Sequence, residues 1–353
     1  MKKNKDGVMA ARFEKIGARN ALIDNVKGLV VLLYMIDHAI LHMPKADGYA
    51  ASKWWGHSNP VLIPSWGFNI IDLGPILFFF VIGFVFFSSF MKKYERDGRA
   101  AYKQVILRNL AFMGLFLGSM YFAGAVDKPA DLWNTVPSIG FACLLTVPFL
   151  VPRISQSAVL KVVCGGGVLL FYHFFHDQLF GFLANIPFNA EDGTVDNLVH
   201  AGGMAGCVGY VGIILLSGAI ADVSKKGIVP YAALTAVLWI LGRFSYLFLQ
   251  PSYPDMNVTW MFSALTKINL FYFGFYVLDK LFLKGREIPI LATMGRNIFL
   301  YLFFILFFQA VFAIFNFPLA HNKTEAFLIV AAITAIYLLA AIPLHKSRVI
   351  FKL

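Results

Sequence analysis

Gly67-Phe-Asn-Ile-Ile-Asp72-Leu-Gly-Pro75-Ile-Leu-Phe-Phe-Phe-Val-Ile-Gly83-Phe-Val-Phe-Phe-Ser-Ser-Phe90 carries a single charge, Asp72, and is closed by the charge-dense residues 92–99. An α-helix rises about 1.5 Å per residue, so a hydrocarbon core of roughly 30 Å needs about 20 apolar residues. The run is long enough to cross a bilayer. Comparable runs on either side predict about ten spans, near 20–43, 67–90, 105–125, 131–150, 157–180, 202–221, 229–249, 257–279, 288–316 and 325–344. Pro137 and Pro148 interrupt the fourth, and the fifth has no clear outer end because residues 171–183 stay aromatic.

Composition agrees with this reading. Of 353 residues, 59% are hydrophobic and 14% charged, and the mean hydropathy is +0.71. A soluble domain carries about 25% charged residues, and no soluble fold of this length has interior enough for so much apolar surface. The expected fold is therefore all-α, a polytopic membrane helical bundle. A segment 1–19 precedes a single transmembrane domain over 20–344, and a short tail covers 345–353. The polar residues before the first span show no short apolar core and no small-residue cleavage site, so that span is expected to insert and stay.

The net charge of +11 does not point to nucleic acid, because the cations sit in short loops between apolar runs. With ten spans, the side of the N-terminus collects about 24 Lys and Arg and about 8 acids, against about 4 and about 9 on the other side. Cytoplasmic loops carry the excess of Lys and Arg, so both termini are expected in the cytoplasm. Cys143, Cys164 and Cys207 fall in separate apolar runs, which argues against a disulfide framework or a metal site.

Polar residues within or beside the spans are candidates for function, since burying them in lipid is costly. His38, His42, His57, His173, His176, His200 and His321 fall on or near the external side, and only His345 is cytoplasmic. Histidine is the usual proton carrier near neutral pH. That asymmetry favours a reaction centre in the outer half, although aromatic-belt positions also tolerate His. Asp24 and His38 share one helix and stand about 21 Å apart along it, with Asp24 at the cytoplasmic entrance. Asp37 precedes His38, but neighbours on a helix point about 100° apart, so it serves His38 or another partner. Asp72 reads either as an N-cap before Pro75 or as a group orienting the histidine or acceptor. Arg243 and Lys267, intramembrane cations on adjacent spans, read first as structural ion-pair partners of Asp72 and Asp37. Arg19, Lys27, Lys103, Arg108 and Arg296 cluster at cytoplasmic span ends, where they anchor the topology or form a pocket for a phosphate-rich ligand. Gly202, Gly203 and Gly206 read as helix packing rather than a phosphate loop.

The run Arg19-Asn-Ala-Leu-Ile-Asp24-Asn-Val-Lys27-Gly28, with His38 near the end of the same helix, resembles the opening signature of the transmembrane acyltransferases. In that family Arg is followed by Leu-Asp-x-x-Arg-Gly and an apolar run ending in His. The run from Asp72 to Gly83 resembles their second helix, and a basic loop with Arg108 follows it. Gly295-Arg296-Asn297-Ile-Phe-Leu-Tyr301 resembles their Gly-x-x-Ser-Leu-x-x-Tyr segment. The nearest branch is the heparan-alpha-glucosaminide N-acetyltransferase-like proteins, with the acyltransferase-3 family more distant. The resemblance covers residues 19–118 best, and 131–150 and 290–301 more weakly. Lys27 stands where Arg is usual, Ile63 where the heparan branch has a loop histidine, and Asn297 where Ser is common.

The resemblance implies an acetyl-CoA-dependent acyltransferase in the plasma membrane, which is the inner membrane if the chain is bacterial. Cytosolic acyl-CoA would be the donor, and a glycan or sugar-containing molecule at the external face the acceptor. It implies catalytic roles for His38 or His57, helped by Asp37 or Asp72, and donor binding by Arg19, Lys27, Arg108 and Arg296. No metal is implied. Membrane lipid is an expected partner, nucleic acid is not, and a homo-oligomer stays open. The alternative from another class is a transporter or flippase for a lipid-linked sugar or organic anion, with Asp72, Arg243 and Lys267 as coupling groups.

Overall fold

The structure is a computed structural model that describes residues 21–42, 73–122, 135–183, 202–249, 251, 256–298, 300–302, 304, 321–347 and 350, with the backbone alone for 37–42, 119–122 and 323. Among the described residues every regular element is a helix, and there is no strand. In chain order these are α1 (Ala21–His42), α2 (Gly74–Asp97), α3 (Ala100–Phe122), α4 (Thr135–Leu145), α5 (Pro152–Gln156), α6 (Ala158–Phe174), α7 (His176–Leu183), α8 (Gly203–Ser224), α9 (Ile228–Phe244), α10 (Val258–Leu278), α11 (Pro289–Arg296) and α12 (Lys323–Ser347).

Among the described residues, five helices are long and apolar enough to cross a membrane: Gly74–Asp97, Gly203–Ser224, Ile228–Leu247, Val258–Leu283 and Thr324–Ser347. The pair α6 and α7 makes a sixth such length, bent by 68° at Phe175. This is a helical membrane protein. The aromatic residues 171–183, which blurred the fifth span in the sequence, are this bend and the helix after it.

Local chemistry sets the ends. Pro75 sits in the first turn of α2, where its missing N–H and fixed φ suit a helix start. The helix then runs past the predicted end at 90, carrying Lys92, Lys93 and Arg96 within it, until Gly98 adopts φ 59° and donates its N–H to the Tyr94 carbonyl at 2.8 Å. Charge ends the lipid-soluble run, but only a residue tolerant of positive φ ends the helix. Pro137 is accommodated in the first turn of α4, and Pro148 diverts the chain into a 3-10 turn over Val147–Phe149. The sequence suggests one span over 288–316. Its described part breaks at Asn297, just after the short α11.

The hub is α8, buried along most of its length against α2, α4 and α6. Its partners come close because small residues meet at the crossings. A Cβ on Gly83 would lie 2.5 Å from the Ile214 carbonyl, and one on Gly212 would lie 3.0 Å from the Gly165 carbonyl. Helices in lipid associate through such close backbone approach, since lipid tails remove the hydrophobic drive between them. Gly203 and Gly206 belong to this buried helix, and Gly202 caps it in a left-handed conformation against Met256.

One ion pair lies inside the hub. Lys161 on α6, with a side chain 1% exposed, donates to Asp222 Oδ2 on α8 at 2.5 Å and stands 4.9 Å from the centroid of the Phe87 ring on α2. Lys225 also reaches Asp222, at 3.2 Å. By sequence Lys161 counts among loop cations, yet it tethers three helices. Breaking a buried pair from one side strands the other charge. Asp222→Ala should therefore cost about 3 kcal/mol, and Asp222→Ala combined with Lys161→Met should recover most of it. Thermal denaturation in detergent measures both.

Candidate functional site

The first helix and the short α11, far apart in the chain, meet through buried polar contacts. Asp24, in the first turn of α1, is buried. Its Oδ2 accepts from Arg296 Nε at 3.1 Å, across 272 residues of sequence. The Arg296 guanidinium also donates through Nη2 to Glu287. One fork thus bridges two carboxylates. The Asp24 side chain is 8% exposed, Arg296 14% and Glu287 36%, so the pair with Asp24 is the sheltered one.

Asn25 completes the join. It is fully buried, and its amide is used at both ends: Nδ2 donates to the Arg286 carbonyl at 3.2 Å, and Oδ1 accepts from the Ile288 N–H at 2.9 Å. A buried amide satisfied this way fixes a loop as firmly as a short strand pairing would. The loop is shaped for it, because Lys284 and Gly285 both take positive φ, 51° and 78°, and the Gly285 N–H donates to Asp279 Oδ1 at 3.3 Å.

Backbone contact runs alongside. A Cβ on Gly28 would fall 1.8 Å from the Leu291 carbonyl oxygen, and a Cβ on Gly295 would fall 2.1 Å from that of Asp24. Each helix offers a glycine exactly where the other's backbone passes. Above this crossing Thr293 Oγ1 donates to the Pro289 carbonyl at 2.7 Å and lies 3.1 Å from Nδ1 of His345 on α12. Asn297 is buried and donates to the Thr293 carbonyl at 2.9 Å. Tyr301 is buried as well and donates to the Tyr337 carbonyl of α12 at 3.4 Å.

Two of the sequence's motif segments, 24–28 and 295–301, are therefore one site. Lys27 sits partly buried in it, one residue from the Gly28 crossing. Arg296, expected as a donor contact, is held by Asp24 and Glu287, so an incoming phosphate would share its fork with Glu287. Arg108 and Lys103 are exposed on α3, with Arg108 within electrostatic reach of Lys93 on α2. His38 lies on the same helix as Asp24, fourteen positions and about 21 Å further along. For Asp37 and His38 the helical backbone is described and the side chains are not. Arg19, His57 and Asp72 lie outside the described residues.

Asp37 and Asp72, the expected partners of Arg243 and Lys267, have no described side chains. Arg243 and Lys267 converge on Tyr246, in the turn after α9. Asn25, Glu287, Thr293 and His345 join the site without any signal that sequence reasoning used. The one marker available was that Asn25, polar and beside Asp24, opens a helix with no side-chain need for an amide there.

No protein-family model matches this chain, and no curated protein matches it.

Proposed function

We propose that this protein is a membrane-bound acyltransferase that takes an acyl group, acetyl first among candidates, from cytosolic acyl-CoA and delivers it to a sugar-containing acceptor at the external face. What supports the reading is the convergence of the two motif segments. Residues 24–28 and 295–301, recognised separately as acyltransferase-like, pack together through the Asp24–Arg296 bond and the Gly28 and Gly295 crossings.

In this reading ten spans place both termini in the cytoplasm, so the Asp24–Arg296 end is the donor mouth. The ties across the bundle agree with that alternation. Asp24 with Arg296, Lys161 with Asp222, and Tyr102 with the Leu150 carbonyl each join residues assigned to the same side. Arg19, Lys27 and Arg108 hold the CoA phosphates, and Arg296 turns part of its fork to them. The pantetheine arm then runs along α1 for about 21 Å toward His38. His38, or His57 from the following loop, acts as general base on the acceptor or takes the acyl group itself.

Donor binding tests the mouth. Arg108→Ala should weaken acyl-CoA binding about tenfold, the worth of one charge-assisted contact. Glu287→Gln should tighten it several-fold, because the carboxylate no longer competes for Arg296. Isothermal titration of acetyl-CoA into purified protein measures both. Unchanged affinity in Arg108→Ala removes that residue from the site. Absence of any acyl-CoA binding, together with flux of a lipid-linked sugar or organic anion into liposomes without donor, would place the chain among transporters instead.

A further inference from the structure

A groove runs along the side of α8, between two helices that both lean on it. Val208 and Val211 of α8 form its floor. Cys164, Gly167 and Phe171 of α6 make one wall, and Leu145 of α4 with Phe149 of the 3-10 turn makes the other. The groove holds about 400 Å³, and among the described residues none that lines it is charged. Cys164 and Phe171 are seven positions apart, so α6 follows it for about 10 Å.

A glycine keeps it open. Three stand in a row on α6, and their surroundings differ. A Cβ on Gly165 would lie 3.0 Å from Leu215 Cβ and 3.1 Å from the Gly212 carbonyl, so that glycine serves the contact with α8. A Cβ on Gly166 or Gly167 would meet nothing within 4 Å. Of these two, Gly167 lines the groove. A larger residue there would suit the helix better and would fill the space.

Depth and surroundings say what occupies it. Val208 and Val211 stand about 8 and 12 Å along α8 from its first residue, on a helix able to cross the membrane. That places the floor within a hydrocarbon core of roughly 30 Å. On α6 the groove is continuous with Val163, Leu170 and Phe174, which are 62%, 59% and 69% exposed and belong to the lipid-covered surface. Water would find too few polar partners here, whereas a hydrocarbon chain gains contact on three sides. The bend sets the direction of that chain. At Phe175 the helix turns by 68° into α7, whose first turn carries His176 and Asp177, paired at 2.9 Å, with the Asp177 side chain 90% exposed. The Phe171 and Phe175 rings, with centroids 4.8 Å apart, lie between the groove and this polar turn.

We infer that the groove between α4, α6 and α8 is a binding site for one acyl chain of a membrane glycerophospholipid, which passes Gly167 with its headgroup at the first turn of α7. Lipid tails supply no hydrophobic drive against one another, so van der Waals contact on three sides distinguishes this chain from the lipids around it. The site does not depend on acyl transfer.

The test uses phosphatidylcholine with a diazirine midway along one chain, photolysed with the full-length protein in phosphatidylcholine nanodiscs, and maps the labelled residues by mass spectrometry. Groove residues should be labelled about tenfold more than Val229, Val237 and Ile240, the exposed apolar residues of α9. Gly167→Leu, whose side chain would occupy the groove, should lower groove labelling about tenfold, to the level of α9. Gly167→Ala should fall between, and it decides the matter if the larger variant does not fold. Gly166→Leu puts the same side chain one position away, off the groove, and should label like the parent. Labelling no heavier in the groove than on α9 overturns the proposal, and so does parental labelling in the Gly167 variants. A groove left unlabelled in a parent dimer that Gly167→Leu makes monomeric by light scattering would also overturn it, since a second copy of the chain would then be the occupant.

Discussion

His38→Ala should lower acyl transfer by about 10²–10⁴-fold, the range that a positioned acid–base group contributes, and leave acyl-CoA affinity unchanged. His38 is about 21 Å along α1 from Asp24; under the proposed function that is too far to touch donor phosphates, so its loss would spare binding and remove chemistry. Release of CoA thiol from acetyl-CoA, with glucosamine or a related sugar as acceptor, measures the rate. Isothermal titration measures the affinity. If His38→Ala transfers as fast as the parent and His57→Ala does not, the role passes to the loop histidine. If both transfer normally, neither histidine is the base.

Gly28→Val should be the most damaging single change in the described structure. The first side-chain carbon would sit 1.8 Å from the Leu291 carbonyl oxygen, a backbone atom that cannot swing aside. Helices α1 and α11 would have to part, and the Asp24–Arg296 bond and both Asn25 bonds would go with the contact. The expected loss is about 3 kcal/mol or more. It should appear as a large fall in the melting temperature, or as failure to recover monodisperse protein from detergent. Gly114→Ala on α3 is the matched control, because a Cβ there meets nothing within 4 Å. It should be neutral or gain about 0.5–1 kcal/mol from the better helix former. A Gly28→Val protein as stable as the parent would show that the crossing of α1 and α11 does not hold the mouth together.

The membrane bundle was legible because lipid solubility is written in single runs. The stretch around Pro75 announces its own helix, start included. What lay beyond the sequence is everything that depends on which runs touch. Lys161 looks like a loop cation because it begins a span, and only the approach of α8 turns it inward to Asp222. Arg296 looks like a topology anchor or a phosphate ligand, and only the fold brings Asp24 and Glu287 to it. Nothing periodic links positions 272 residues apart. Lys27 and Arg296 are legible as cations at the same end of the bundle, but nothing in the sequence sets Asp24 and Gly28 against Arg296 and Gly295. Asn25 passed unnoticed beside Asp24, although its amide makes two of the bonds that close the site.

The distance between Asp24 and Arg296 along the chain has a cost in time. A ribosome adding about 5–20 residues per second needs roughly 14–54 s to travel from one to the other. Through that interval a carboxylate and an amide sit at the end of a newly inserted helix, awaiting partners that have not been made. Nascent chains paused before position 286 should be the ones that membrane proteases and insertases engage, and release should coincide with emergence of the Arg286–Arg296 segment.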